Sequence, residues 1–192
     1  MNSVERRTAN IGARRSVRHR ARARVFADDA QQRVLAVQQE LGERSQIVVH
    51  GDRVDAGPWQ FTAIEIPGHT RSHVAFHGRG LDGTGLLFCG DTLFSLGCGR
   101  LSEGSPEQML HSLDLLASLP DKTLVCCAHE YTESTQRFAA AAEPVNAARD
   151  AYRLEFMAKR AAGKPSLPSS ICREKACNPF LRVDHTESMT GL

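Results

Sequence analysis

Apolar residues fall into short runs in the first two thirds of the chain and into helical spacing later, and this change of rhythm predicts the elements. Residues 22–26 read as a short strand. Val34, Val37 and Leu41 put a helical face on residues 30–41. Residues 47–49 are continuously apolar and predict a strand that turns at Gly51-Asp52. Residues 60–66 alternate around Phe61 and Ala63 and run into Pro67-Gly68; residues 74–76 form another strand. Gly83-Thr84-Gly85 turns into residues 86–89, a fully apolar, buried type of strand that stops at Gly90-Asp91. Ser105, Pro106 and Gln108 then supply an N-cap, a first-turn proline and a capping-box partner, ahead of an apolar face of Met109, Leu113 and Leu116. Pro120 ends that helix. Residues 123–127 are the next buried strand and lead to His129. Helices follow at 133–142, closed by Pro144, and from an Asn146 cap to residue 162, closed by Gly163 and Pro165. Beyond that, Pro165, Pro168 and Pro179 predict loop. Strands, then mixed units, then helices give an α+β class. Strands that stop at loops bearing His or Asp place a site along one rim of a β-sandwich flanked by helices.

Composition changes this picture little. A length of 192 residues suits one domain with a sizeable core, and 41% hydrophobic with 24% charged residues is ordinary for a globular protein. No apolar run approaches the roughly 18 residues of a membrane span, and no apolar h-region follows the start, so no membrane partner is expected. Charge is more telling. The net +2 hides a head: residues 1–24 hold eight arginines and one acid, and the rest holds 16 basic and 21 acidic residues. Such a head reads as a transit peptide, as a nucleic-acid arm, or as a degenerate piece of the domain itself. No aromatic residue interleaves the arginines, so nucleic acid is not among the expected partners. The six cysteines include no C-x-x-C pair, and Cys89, Cys126 and Cys127 lie in apolar runs. Reduced thiols in a cytoplasmic protein are expected.

Three blocks carry candidate chemistry: Pro67-Gly68-His69-Thr70, Gly90-Asp91-Thr92 and His129-Glu130-Tyr131-Thr132. Each sets a ligand-type residue at the end of a strand-like run. One histidine after a strand is usually structural, and an aspartate between glycine and threonine is usually a turn cap. Three such strand ends together point to a metal, and two histidines with a carboxylate suit Zn²⁺ or a similar borderline ion. His73 follows His69 by four residues, but in loop and strand rather than helix, which suits a supporting or surface position. His50, His77, His111 and His185 read as surface residues. Cys98 sits in a glycine-rich loop with no paired base, a weak basis for a nucleophile.

The run from Gly90 through Gly97-Cys98-Gly99-Arg100, then Glu103-Gly104-Ser105-Pro106-Glu107-Gln108-Met109 and His129-Glu130-Tyr131-Thr132, closely resembles the glyoxalase II (hydroxyacylglutathione hydrolase) family. Pro67-Gly68-His69-Thr70 before it and Asn178-Pro179-Phe180-Leu181-Arg182 after it extend the resemblance over most of the chain. The resemblance implies a metallo-β-lactamase-like αββα sandwich, here incomplete at the N-terminus, with a C-terminal helical segment. With the basic, degenerate or disordered head set apart over residues 1–24, it implies a partial metallo-β-lactamase-like domain over 25–132 and a shortened glutathione-hydrolase segment over 133–192. It implies a binuclear zinc site, with iron or manganese as variants. In that site His69 serves one metal, His129 the other, and Asp91 bridges both and orients the attacking hydroxide. The substrate implied is a small glutathione thioester, S-D-lactoylglutathione, hydrolysed to D-lactate and glutathione by metal-activated water. Arg100 and Tyr131 match the residues that hold the glutathione.

The sequence also departs from the family. The cluster Thr-His-x-His-x-Asp-His is missing, and in the matching register its ligand positions fall on Glu5, Arg7, Ala9 and Asn10. Ser102 replaces an aromatic residue, and an Arg-x-x-Lys pair expected near the C-terminus is not found. A truncated or decayed start, weak metal binding and little thioesterase turnover are therefore expected, because three protein ligands per catalytic zinc is usual. A non-catalytic fragment, or a binding module that keeps the Arg100 and Tyr131 pocket, is the competing reading. A mononuclear-iron persulfide dioxygenase is disfavoured by the Gly-Cys-Gly-Arg and His-Glu-Tyr-Thr blocks.

Overall fold

The computed structural model describes residues 48–56, 59–79 and 83–184. The described residues from Val49 onward form one compact unit. The basic head, the strand expected at 22–26, the helix expected at 30–41 and His185 lie outside the described residues.

A six-stranded sheet forms the frame, in the order β1 (Arg53–Ala56), β2 (Trp59–Glu65), β3 (Val74–Arg79), β4 (Gly85–Gly90), β7 (Leu124–Cys127) and β8 (Ser169–Ser170). Leu93–Phe94 (β5) and Gly97–Cys98 (β6) make a separate two-stranded hairpin. The first four strands are antiparallel neighbours, with Ala63 opposite Phe76 and Phe76 opposite Phe88. β4 and β7 are parallel, with Phe88 beside Cys126. A parallel pair needs a crossover, and α1 (Pro106–Ala117) lies within it. Two longer helices follow, α2 (Thr132–Ala142) and α3 (Ala147–Ala161), then a short α4 (Ile171–Cys177).

The α1 start is written in its sequence. Ser105 Oγ accepts from the Gln108 amide at 3.3 Å, and Gln108 Oε1 accepts from the Ser105 amide at 2.9 Å. Two otherwise orphaned amides are thereby satisfied. Met109, Leu113 and Leu116 then face the sheet and pack with Ile64, Leu87, Cys89 and Val125. Period-two alternation sends Leu87 and Cys89 into that core and leaves Phe88 on the other face, 42% exposed and edge-on to Phe61 at 5.6 Å. A second cluster joins Leu96 to Ala139, Tyr152, Phe156 and Cys177.

Two expectations need correction. The strand anticipated at 47–49 does not extend through Val49. There the Val49 amide donates to Asp52 Oδ2 at 3.0 Å, and the Asp52 amide donates to the Val49 carbonyl at 3.1 Å. An aspartate side chain that closes a turn this way competes with strand pairing. The loop anticipated after residue 165 contains β8, α4 and a 3-10 turn at Pro179–Leu181. Ser170 caps α4 by accepting from the Arg173 amide. With seven residues, α4 is too short to show a helical period, and packing holds it in place.

Candidate metal centre

Three strand ends meet at one rim because of strand direction. β2 and β4 are both antiparallel to β3, so they run the same way, and β7 is parallel to β4. The residues that follow them, His69, Asp91 and His129, are delivered to the same side of the sheet.

Asp91 is held by its backbone. Gly90 has φ +52, and a β-carbon there would meet His73 Nε2 at 2.5 Å. Glycine leaves room for His73 Nε2 to accept from the Asp91 amide at 3.2 Å. Burial pushes the His73 imidazole below its ordinary value, which suits a nitrogen that accepts. On the other side, a β-carbon at Gly99 would fall 1.7 Å from the Asp91 carbonyl oxygen. The loop carrying Cys98, Gly99 and Arg100 can pass Asp91 only because position 99 is glycine.

His69 Nδ1 lies 2.8 Å from the Arg100 carbonyl oxygen. A carbonyl only accepts, so Nδ1 carries the proton and the Nε2 lone pair is free. That Nε2 faces Asp91 Oδ2 at 3.5 Å, while His129 Nε2 faces Asp91 Oδ1 at 3.4 Å. Asp91 Oδ1 is buried and accepts no hydrogen bond. Two donors bound about 2.1 Å from one tetrahedral ion sit about 3.4 Å apart. The donor set therefore fits a carboxylate with one imidazole on each side, each pair spaced as the edge of a coordination tetrahedron. Among the described residues no ion position gathers three such donors.

A cavity of about 590 Å³ opens at this rim and is lined by His69, Asp91, Arg100, His129 and Tyr131 together. The structure thus gathers all five site residues anticipated from the sequence. His129 and Tyr131 stack at 5.0 Å, and Phe94 meets both edge-on. Phe94 was not anticipated as a wall of the site, although an aromatic residue between Asp91 and Gly97-Cys98-Gly99 is the visible signal for it. Cys98 lines the cavity too, and burial pushes its thiol up to about 11. His50 and His111 are exposed as expected. His77 is half-buried on β3, a correction, because it lies opposite the buried Leu87, on the face of the sheet that carries Ala75 into the core.

Fold and site together define an α+β protein that keeps its chemistry on loops at one sheet rim, around a carboxylate flanked by imidazoles. Comparison with known proteins makes the class specific. Residues 15–129 match the profile of the metallo-beta-lactamase superfamily, and residues 130–191 match that of the hydroxyacylglutathione hydrolase C-terminus. The chain belongs to the metallo-beta-lactamase superfamily. It is 60% identical over 123 residues to a hydroxyacylglutathione hydrolase of Albidiferax ferrireducens, covering 64% of this chain and 48% of that one. A hydroxyacylglutathione hydrolase of Xanthomonas campestris is 54% identical over 139 residues, covering 72% and 52%. One from Chromohalobacter salexigens is 49% identical over 157 residues, covering 82% and 58%. The chain spans about half the length of the curated relatives it matches. Among the described residues, no helix is long and apolar enough to cross a membrane.

Proposed function

We propose that this chain is a metal-dependent thioester hydrolase of the hydroxyacylglutathione hydrolase type, acting on S-D-lactoylglutathione to give D-lactate and glutathione. The observation that carries the reading is the Asp91 carboxylate, with one oxygen 3.5 Å from His69 Nε2 and the other 3.4 Å from His129 Nε2. Relatives bearing that name match through this region and into the C-terminal segment.

His69 and Asp91 would hold one divalent ion, and Asp91 and His129 a second; zinc, iron and manganese all suit two imidazoles and a carboxylate. Such an ion, when bound, supplies Lewis acidity and lowers the pKa of water. The chain's own residues do the rest. Asp91 sets the direction from which a water proton is held. The Arg100 carbonyl keeps the His69 proton on Nδ1, so that Nε2 stays available. Arg100 and Tyr131, on the same cavity wall system, take the anionic and polar parts of the glutathione moiety. Phe94 and the stacked His129–Tyr131 pair offer the substrate an aromatic wall beside Asp91. All six cysteines are free thiols, which supports a reducing compartment such as the cytoplasm.

The test is hydrolysis of S-D-lactoylglutathione by the purified full chain, followed by loss of thioester absorbance. Turnover should rise with added zinc, iron or manganese, vanish on chelation, and fall at least about tenfold in Asp91→Asn. Turnover that ignores chelator, or no turnover at any metal concentration, would sink the reading.

A further inference from the structure

The hairpin at residues 93–98 carries Phe94 into the ring wall and hands the chain on to Gly99 and Arg100. Its turn is unusual. Leu96 is fully buried at φ +61, the single non-glycine residue at positive φ among the described residues. That conformation is disfavoured for a branched side chain and turns the Leu96 amide away from the hairpin. The amide is received by a buried carboxylate 78 residues later: Glu174 Oε2 accepts it at 2.8 Å. Asn178, one turn on, donates from Nδ2 to the Phe94 carbonyl at 3.1 Å, the Gly97 carbonyl at 3.0 Å and Glu174 Oε2 at 3.0 Å. Ser169 Oγ donates to the other Glu174 oxygen. Both Glu174 and Asn178 are fully buried.

A buried carboxylate is a costly way to fill space, and an apolar side chain would pack α4 as well. What Glu174 does that leucine could not is receive the Leu96 amide. The same hairpin is fastened from α2, where Thr135 Oγ1 donates to the Ser95 carbonyl at 2.7 Å. It is closed by the Gly99 amide on the Thr92 carbonyl at 3.1 Å. Its outputs are two. Phe94 sets the rings of Tyr131 at 5.3 Å and His129 at 6.2 Å. Arg100, just past the hairpin, gives its carbonyl to His69 Nδ1.

We infer that Glu174 and Asn178 are positioning residues for the candidate site: by fixing the Leu96 turn they set both the ring wall at His129 and the carbonyl that orients His69. Neither side chain lines the cavity, so both act through the hairpin. The inference does not depend on the thioester reading, because its readout is spectroscopic.

The experiment is nitrogen-15 NMR of the histidine rings in the full chain, with Glu174→Gln, Glu174→Leu and Asn178→Asp. Glutamine can keep an oxygen toward Leu96 and turn its amide toward Ser169, so Glu174→Gln should retain the Nδ1-protonated His69 signal and the native Tyr131 ring shifts. Glu174→Leu has no acceptor, and Asn178→Asp has no donor for the Phe94 and Gly97 carbonyls. Each, with α1 amide shifts unchanged, should show His69 averaged between tautomers and displaced Tyr131 and Phe94 resonances. Native His69 and Tyr131 signals in either folded variant would overturn the inference, as would averaged signals in Glu174→Gln. If neither disruptive variant folds, hydrogen exchange in the unaltered chain decides. The Leu96 amide should exchange as slowly as the α1 core amides; exchange as fast as that of an exposed loop overturns the inference.

Discussion

Cys98 shows how a single residue's surroundings settle its chemistry. It lies in the cavity, beside glycines, where a nucleophile would be well placed. Burial raises its thiol to about 11, that of Cys177 to about 11 and that of Cys89 to about 12. At neutral pH a thiol whose pKa is about 11, as for Cys98, is about one part in ten thousand thiolate. Cys172 is exposed. Iodoacetamide at neutral pH should therefore label Cys172 first and leave Cys98 unmodified for much longer, as peptide mapping would show; rapid labelling of Cys98 contradicts this. The candidate ligands His69, Asp91 and His129 were legible in the sequence because each follows a run that is plainly a strand. The Asp91 surroundings were not. That Gly90 makes room for His73, and Gly99 for the Asp91 carbonyl, depends on loops that approach from elsewhere in the chain.

Among the elements, α1 was fully legible: a capping box and an apolar face are local signals, and both formed. The junction of α2 with α3 was legible only in outline. Asn146 caps α3 as its sequence indicates, with Oδ1 accepting from the Arg149 amide at 2.9 Å. Long-range partners complete the joint. Arg149 is buried and donates to the Ala139 and Glu143 carbonyls at the end of α2, satisfying groups that helix ends leave open. Glu143, also buried, receives Arg182 Nη2 at 2.8 Å and Asn146 Nδ2 at 2.9 Å. Burial pushes the Glu143 carboxyl up, but the hydrogen bonds from Arg182 and Asn146 and the charges of Arg182 and Arg149 outweigh it and leave the carboxyl below its ordinary value. An acid whose folded pKa is depressed gives stability that is whole above its unfolded pKa and is lost as pH falls through the folded one. Urea midpoints should therefore drop as the solution is acidified through the carboxylate range. Arg182→Met should lower stability by about 1–3 kcal/mol near neutral pH and flatten that acid dependence, since it leaves Asn146 and the Arg149 charge alone to hold a buried carboxylate. An unchanged acid limb in Arg182→Met would show that other carboxylates govern it.

At the scale of the whole sheet, the site rim could be read from the sequence, because buried strands ending in His or Asp place those residues at strand ends, whereas the strand order emerges only from the pairing. The C-terminal stretch could not. β8 has two residues and α4 seven, below the length at which periodicity speaks, and their positions follow from pairing with β7 and packing on Leu96. The donor count belongs to this scale as well. Asp91 is shared, and each imidazole gives one nitrogen, so the described residues offer two donors per ion. Zinc should accordingly be held loosely. After dialysis against buffer with a mild chelator, elemental analysis should find well under two zinc ions per chain, with rebinding in the presence of excess metal. Two ions retained per chain would locate further donors outside the described residues.

The bond from Leu96 to Glu174 also has a consequence in time. Contacts between residues some 80 positions apart form late, because the intervening chain must first be made and its ends brought together. At about 5–20 residues per second, the synthesis of that interval occupies several seconds. Once residue 129 has been made, β1 to β7, α1, His69 and His129 all exist, while the turn that orders them still has no acceptor. On the ribosome the chain therefore passes through a stage in which the sheet rim is built and its chemistry is still unset, and the arrival of α4 is the event that ends it.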